Sequence, residues 1–250
     1  MKICLASWST RKTLKEEISS CKFILESFYT MCDWLLPMIK KTNFFILDSG
    51  AFTFMNAQNK KKETECNFDE YLNKYIKFIN DNDIKYFFEL DIDSIVGIEE
   101  VERLRKRLEE GTGKKCIPVY HKSRGKDYFI KMCQEYDYVA IGGIVTKEIK
   151  PEEYKYFKWF IDTAHSYGCK IHGLGFTNLK LLKYYNFDSV DSTSWLSGGR
   201  FGTMYHFDGK KLNIVDTKNR RRRSDINHIP LDIHNYYEWV KFQKYAELHY

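Results

Sequence analysis

Eight short apolar runs recur between residues 2 and 191, and their spacing constrains the fold more than any other feature of the sequence. Each run is four to six residues long and rich in β-branched or aromatic side chains, which is typical of buried β-strands. The runs occupy residues 2–6, 22–27, 44–47, 85–90, 115–120, 138–141, 170–174 and 187–191. The second run is ambiguous, because residues 23–25 also fit a helix.

Longer stretches with helical character separate most of these runs. They cover residues 68–80, 98–110, 126–135, 151–167 and 178–185. Pro151 with Glu152 and Glu153 suits a helix start, and Gly168 suits a helix end. Regular alternation of strand and helix predicts a parallel sheet of the α/β class, and eight units predict closure into a (β/α)8 TIM barrel.

The pattern changes after Arg200. Asp208-Gly209 forms a turn signal between residues 203–207 and 212–215, which predicts a β-hairpin, and a last helix is predicted over 233–248. We therefore expect residues 1–200 to form the barrel domain. Residues 201–250 are expected to form a basic hairpin and C-terminal helix packed on the same domain.

Composition excludes several classes of protein. Hydrophobic residues make up 43% and aromatic residues 16%, which is too apolar for a disordered chain. No apolar run approaches the roughly 18 residues of a membrane span, and the first residues do not resemble a signal peptide. Seven cysteines without a CxxC pair indicate reduced thiols rather than a zinc site. We expect a cytoplasmic protein without a metal or a membrane anchor.

Basic residues are concentrated near the end of the predicted barrel. Residues 200–223 contain eight Lys or Arg and two Asp, so this segment carries the whole net charge of +6. The basic residues are Arg200, Lys210, Lys211, Lys218, Arg220, Arg221, Arg222 and Arg223. The segment is either a solvated basic loop or an arm that contacts phosphates, since a polyanion selects clustered Arg.

Acids, histidines or glycines follow six of the predicted strands. They include Asp48-Ser49-Gly50, Asp91 and Asp93, His121, Gly142-Gly143, His172-Gly173 and Asp191. Taken singly, such residues also serve as helix N-caps, structural histidines or tight turns. Because active sites of parallel barrels lie at the C-terminal ends of the strands, the whole set predicts a polar pocket there.

The chemistry of this set suits a planar heterocycle. Carboxylates accept hydrogen bonds from ring N–H and amino groups, while glycine amides donate to a carbonyl oxygen, and guanine presents both kinds of group. Phe52 either stacks on such a ring or packs in the core.

With these motifs in order, residues 44–212 resemble the tRNA-guanine transglycosylase (queuine tRNA-ribosyltransferase-like) superfamily, and most of all its phage and bacterial branch that inserts 7-deazaguanine bases into DNA. Residues 47–52, Leu-Asp-Ser-Gly-Ala-Phe, are similar to the family's D-S-G-G-F/Y motif. Residues 140–144, Ala-Ile-Gly-Gly-Ile, resemble its A-I-G-G-L loop, and residues 172–175 resemble its M-G-V-G segment with His in place of Met.

The resemblance implies roles for individual residues. Asp191 matches the family's nucleophile, although a competing register selects Asp188, and Asp48 matches its proton-transfer residue. The implied base-contacting residues are Asp91 or Asp93, His121 in place of a Gln, the amides of Gly142 and Gly143, His172, Gly173, Ser49 and Phe52. Arg200, Lys218 and Arg220 to Arg223 are then the expected phosphate contacts.

The implied reaction exchanges guanine in DNA for a free 7-deazaguanine such as 7-cyano-7-deazaguanine, without a cofactor. The family's zinc site after the barrel and its extra RNA-binding domain have no counterpart in the sequence, which favours DNA over tRNA. A tRNA-modifying enzyme, a non-catalytic nucleobase-binding barrel and a hydrolase that removes a base remain alternatives. The sequence also leaves open whether a helper helicase or a homodimer takes part.

Overall fold

A computed structural model describes residues 1–16, 20–51, 53–54, 67–215 and 228–250 of the chain. Its main sheet contains eight parallel strands, one in each predicted run, and the ambiguous second run is a strand. The strands are β1 (Lys2–Ala6), β2 (Phe23–Ser27), β3 (Phe44–Asp48), β4 (Tyr86–Phe87), β5 (Val119–Tyr120), β6 (Tyr138–Ile141), β7 (Lys170–Gly173) and β8 (Ser189–Ser192).

The order of the strands is β4-β3-β2-β1-β8-β7-β6-β5, so the first and last strands are neighbours. The two remaining edges approach each other at a parallel bridge between Phe88 and Ile117. At this bridge the Glu89 amide donates to the Ile117 carbonyl over 3.1 Å, and the Ile117 amide donates to the Phe87 carbonyl over 2.8 Å. The sheet thus curls into the predicted TIM-barrel-like α/β fold.

Helices occupy most of the connections between strands. They are α1 (Leu36–Ile39), α2 (Phe68–Asp81), α3 (Asp93–Val96), α4 (Ile98–Thr112), α5 (Lys126–Glu135), α6 (Phe157–Ser166), α7 (Ser197–Phe201) and α8 (His228–His249). The predicted helices at 68–80, 98–110 and 126–135 are confirmed within two residues, and the segment 151–167 divides into the 3₁₀ turn Pro151–Tyr156 and α6.

The predicted helix over 178–185 is wrong. Only the 3₁₀ turn Leu182–Tyr184 forms there, because Tyr185 already has the extended backbone (φ −125°, ψ 115°) that leads into β8. Asn178 also accepts a hydrogen bond from the Lys180 amide with its own side chain, which favours a turn over a helix.

Alternation along the strands decides which side chains enter the barrel. An interior cluster contains Cys4, Leu25, Ile46, Val119 and Ala140, among others, while their sequence neighbours pack outward against the helices. Because successive side chains of a strand point to opposite faces, residues 48, 121, 142, 172 and 191 share the interior face.

The C-terminal extension follows the prediction. Strands β9 (Met204–Phe207) and β10 (Leu212–Val215) form an antiparallel hairpin, and the Tyr205 amide donates to Asn235 of α8 over 2.9 Å. Gln243 of α8 donates to the carbonyls of Ile3 and Phe23, at 2.7 and 3.0 Å, and so binds the helix to β1 and β2. Within the described part of the chain, no helix is long and apolar enough to cross a membrane.

Candidate active site

The predicted polar residues meet at one rim of the barrel, because parallel strands deliver their C-terminal ends to the same side. Asp48 ends β3, Asp91 and Asp93 follow β4, His121 follows β5, Gly142 and Gly143 follow β6, and His172 and Asp191 lie in β7 and β8. Phe52 lies outside the described residues. Ser49 is buried, and its carbonyl oxygen accepts a hydrogen bond from the Tyr71 hydroxyl at 2.6 Å.

Asp48 is half-buried, and its carboxyl group ionises near neutral pH. Burial, with a smaller contribution from the nearby charges of Asp91 and Asp191, raises the pKa of Asp48 to about 7, although the hydrogen bond from the Gly50 amide, 3.1 Å from Oδ2, lowers it. Gly50 has φ +67°, and a Cβ there would lie 2.6 Å from Cβ of Tyr29, so the turn requires glycine. Asp91 and Asp191 are both near enough to Asp48 for their charges to act on its carboxyl group.

Asp191 is held through only one of its two oxygens. Its Oδ1 accepts a hydrogen bond from the Gly175 amide at 2.6 Å and lies 3.3 Å from Nε2 of His172. The Asp191 side chain is 13% exposed, and among the described residues its Oδ2 has no hydrogen-bond partner. One oxygen is therefore fixed and the other is free to face a ligand.

Asp188, the nucleophile of the competing register, lies at the opposite end of β8. Its carboxylate accepts a hydrogen bond from the Ile171 amide at 2.9 Å and contacts His165 at 3.0 Å, while its carbonyl binds the amide of Lys2 at the start of β1. Asp188 also shares its strand face with Val190, which packs outward. This geometry favours the register that selects Asp191.

A charged histidine lies between two carboxylates at the rim. His121 Nε2 is 2.7 Å from Asp91, and Nδ1 is 2.8 Å from Glu148. Burial alone would lower the pKa of His121, but the hydrogen bonds to Asp91 and Glu148 outweigh it and raise the pKa to about 9. The ring is therefore an imidazolium at neutral pH, and it offsets part of the negative charge of the rim.

Gly142 and Gly143 leave space for the side chains of His121 and Glu148. A Cβ on Gly142 would lie 2.8 Å from Cε1 of His121, and one on Gly143, which has φ +78°, would lie 2.7 Å from Oε2 of Glu148. The Gly142 amide donates to the Tyr120 carbonyl at 2.9 Å, so it is not available to a ligand. Among the described residues the Gly143 amide has no acceptor, and of the two predicted donors it alone remains available.

His172 and Gly173 are more deeply placed than the base-contacting role predicts. The His172 ring is fully buried, with Nδ1 hydrogen-bonded to Ser189 and Nε2 facing Asp191. Gly173 packs against Phe176 and Phe187, where a Cβ would lie 3.2 Å from Phe176. These two residues support the site from below rather than lining its surface.

A buried ion network supports one wall of the site. Glu89 is fully buried and accepts from the Val119 amide at 2.7 Å, while Arg105 and Arg124 lie 3.2 and 3.5 Å from its carboxylate. Arg124 also binds Asp93 at 2.9 Å. Asp93 is bound to the buried Arg124 and is 12% exposed, whereas Asp91, bound to His121 through one oxygen, is 32% exposed and is the more accessible of the two.

A cleft of about 1130 Å³ opens beside these groups. Its lining includes Asp91, Asp93, His121, Gly142, Gly143 and Glu148. Neither Asp48 nor Asp191 is among the described residues that line it. Asp91 does line the cleft, and its charge contributes to the raised pKa of Asp48, so the cleft and Asp48 are neighbours. The cleft exceeds the roughly 300–1,000 Å³ of small-molecule sites, so it has room for a nucleobase.

One cluster at the rim has the composition of a metal site. Asp91, Asp93 and His121 each offer a ligand atom, and these atoms lie within 4.8 Å of one another. In this arrangement Asp93 binds Arg124, and Asp91 binds the charged ring of His121. A cation would have to displace both positive groups, so the present geometry does not favour one.

The predicted phosphate contacts are only partly described. Arg200 is exposed in α7, the short helix that follows β8 in the chain. Lys218 and Arg220, Arg221, Arg222 and Arg223 lie outside the described residues. Lys210 and Lys211 lie beside the hairpin turn, where their amides donate to Asp208 at 2.9 and 2.8 Å.

No protein-family model matches the chain, and no curated protein matches it. Similar solved structures include the citrate synthase SbnG, with 11% sequence identity and a TM-score of 0.43, covering 76% of this chain and 84% of that chain. A variant of the same citrate synthase has 10% identity and a TM-score of 0.45 over the same shares of the two chains. Similarity at this level carries no information about substrate or reaction.

Proposed function

We propose that the protein is a base-exchanging transglycosylase, a pentosyltransferase that replaces guanine in DNA with a free 7-deazaguanine. The observation that carries this proposal is the pair of carboxyls at one rim, Asp48 with a pKa of about 7 and Asp191 with one oxygen fixed and the other free. A group that ionises near neutral pH suits proton transfer, and a held carboxylate suits nucleophilic attack.

Asp191 is the nucleophile in the proposed reaction. Its Oδ2 attacks C1′ of the target nucleotide, the bond from C1′ to the base breaks, and the bonding electrons leave with the guanine. Asp48 donates its proton to the departing base, so that a neutral guanine is released and a glycosyl ester of Asp191 remains. The incoming 7-deazaguanine then attacks C1′, Asp48 takes back a proton from it, and Asp191 is regenerated.

The cleft supplies groups that match the edge of the base. The free oxygen of Asp91 accepts from the ring N–H and exocyclic amino group, and the Gly143 amide donates to the carbonyl oxygen. His121 keeps Asp91 in place and reduces the repulsion among the carboxylates of the rim. A pocket without these donors and acceptors would not distinguish guanine from adenine.

The nucleic acid must present its base to the rim. A stacked base in a duplex cannot reach a barrel mouth, so the target nucleotide is flipped out or single-stranded. Arg200 and the basic residues of segment 218–223 would bind flanking phosphates, which orient the chain without reading its sequence. We propose that this takes place in the cytoplasm of bacteria or of phage-infected cells.

Uptake of labelled base tests this function. The protein is incubated with labelled guanine or 7-cyano-7-deazaguanine and, in parallel, with guanine-containing DNA or tRNA. We expect label in DNA, loss of uptake in Asp191→Asn, and retained uptake in the matched control Asp188→Asn at the other end of the same strand.

Other results would change or end the proposal. Uptake into tRNA alone would indicate that the protein is a tRNA-modifying enzyme. Release of guanine without uptake would indicate a hydrolase. Uptake that survives Asp191→Asn but is lost in Asp188→Asn would show that the wrong carboxylate has been chosen. Absence of binding, uptake and release would refute the proposal.

A further inference from the structure

A row of four polar side chains crosses the barrel interior and ends at Asp191. The Tyr138 hydroxyl lies 2.5 Å from Ser189 Oγ, Ser189 Oγ is hydrogen-bonded to Nδ1 of His172, and Nε2 of His172 lies 3.3 Å from Oδ1 of Asp191. Ser189 and His172 are fully buried. Buried polar groups are costly unless hydrogen-bonded, so a continuous row of them inside an apolar barrel calls for an explanation.

The hydrogen-bond directions in this row are mutually dependent. If Nε2 of His172 were the unprotonated nitrogen, its lone pair would face the carboxylate oxygen of Asp191, and two acceptors would oppose each other. With the proton on Nε2, the ring donates to Asp191, Nδ1 accepts from Ser189, and Ser189 accepts from Tyr138. Ser189 then accepts from Tyr138 and donates to His172, and the ring is held in one tautomer.

The row acts on one oxygen of Asp191 only. Both donors, the Gly175 amide and His172 Nε2, point to Oδ1. An aspartate with both donors on one oxygen has a fixed carboxylate plane, and its second oxygen is free. The Phe88 ring packs against His172, with their centroids 5.3 Å apart, and helps to keep the imidazole in place.

We infer that His172, oriented by Ser189 and Tyr138, is a positioning residue that makes Oδ2 of Asp191 the attacking atom. This inference rests on the proposed function, since it takes Asp191 as the nucleophile. It assigns His172 a place behind the nucleophile, and it differs from direct contact with the base. The tautomer itself is a property of the free protein and can be tested without a substrate.

The first experiment is ¹⁵N NMR of histidine-labelled protein without ligand. We expect the ring of His172, assigned by its loss in His172→Gln, to be protonated at Nε2 and unprotonated at Nδ1. Ser189→Ala should remove this preference. Tyr138→Phe preserves the shape of the core and should weaken the preference without unfolding the protein. A ring protonated at Nδ1 in the parent protein, alone or together with Nε2, would overturn the inference.

The second experiment measures kcat and KM for base uptake. His172→Met removes the donor and should lower kcat on the order of 10- to 100-fold with little change in KM, as expected when outer partners of a functional group are lost. His172→Gln restores an N–H donor and should recover part of the rate. His165→Gln removes the matching histidine–aspartate contact at the other end of the barrel and should leave kcat unchanged.

The two experiments separate the possible failures. If the NMR result holds but no uptake of any base occurs, the proposed function fails while the tautomer remains established. If uptake occurs and His172→Met is fully active, the positioning role is refuted while the transglycosylase proposal stands. Equal losses in His172→Met and His172→Gln with a rise in KM would mean that His172 contacts the base instead, which also refutes the inference.

Discussion

Replacing Asp48 with Asn should change how the stability of the protein depends on pH. The pKa of Asp48 is raised from 3.8 to about 7 in the folded protein, chiefly by burial. The folded state therefore holds a proton that the unfolded state has released between these two pH values. Stability contributed by the protonated form is complete below the unfolded pKa and is lost as pH rises through about 7.

The size of the effect follows from the shift. A rise of about 3 pKa units corresponds to roughly 4 kcal/mol at about 1.36 kcal/mol per unit, and this is an upper value because Asp48 keeps some exposed surface. Asn has no proton to lose. As the pH rises from 4 to 8, the unfolding free energy of Asp48→Asn should therefore increase by about 2–4 kcal/mol relative to that of the parent protein.

Urea unfolding of both proteins across this pH range measures the difference directly. Asp127→Asn, on an exposed position of α5, serves as the matched control for the substitution itself. Stability curves of Asp48→Asn and the parent that run parallel from pH 4 to pH 8 would refute the raised pKa. The argument for Asp48 as the proton-transfer residue would then lose its physical basis.

Four further predictions address the rest of the site. The pKa of His121 is raised to about 9, so its ion pairs should stabilise the folded protein by up to roughly 3 kcal/mol below pH 6.5, and this stability should be lost as pH rises through 9. Urea unfolding of the parent and of His121→Gln at pH 6 and pH 10 measures the difference. Glu89→Ala removes the buried carboxylate that two buried arginines share and should cost about 3–5 kcal/mol, seen as a lower Tm. Gly143→Ala should destabilise more than Gly168→Ala in thermal unfolding, because both glycines have positive φ but only the Cβ at Gly143 would meet a neighbour within 4 Å. Neutralising the arginines of segment 220–223 should weaken DNA binding and flatten its dependence on salt, with little effect on base choice, in binding titrations at several salt concentrations.

The eight strands could be predicted because each is short, apolar and followed by a marked change in composition. The period of two also determines which polar residues enter the barrel: Ile46 and Asp48 share one face, as do Val119 and His121. The helix over 178–185 could not be rejected from its composition. It fails because the chain must already be extended at Tyr185 to enter β8.

Glu148 was missed because nothing in its local sequence distinguishes it from other surface acids. It reaches His121 only because the chain turns back after Gly143, where the Ile149 amide donates to the Gly143 carbonyl over 3.0 Å. The deep position of His172 follows from the alternation along β7, but its partner Ser189, and Tyr138 that bonds to Ser189, are distant in sequence. Such contacts depend on the closure of the barrel, which a strand pattern does not specify in detail.

The attachment site of a trapped DNA adduct tests the central claim most directly. A guanine-containing oligonucleotide is incubated with the protein without free base, the mixture is denatured in acid, and the linked peptide is identified by mass spectrometry. We predict a peptide joined through Asp191 to an oligonucleotide that has lost one guanine, and no such peptide in Asp191→Asn. Attachment at Asp188 or elsewhere, or guanine release without any linked peptide, would contradict the account.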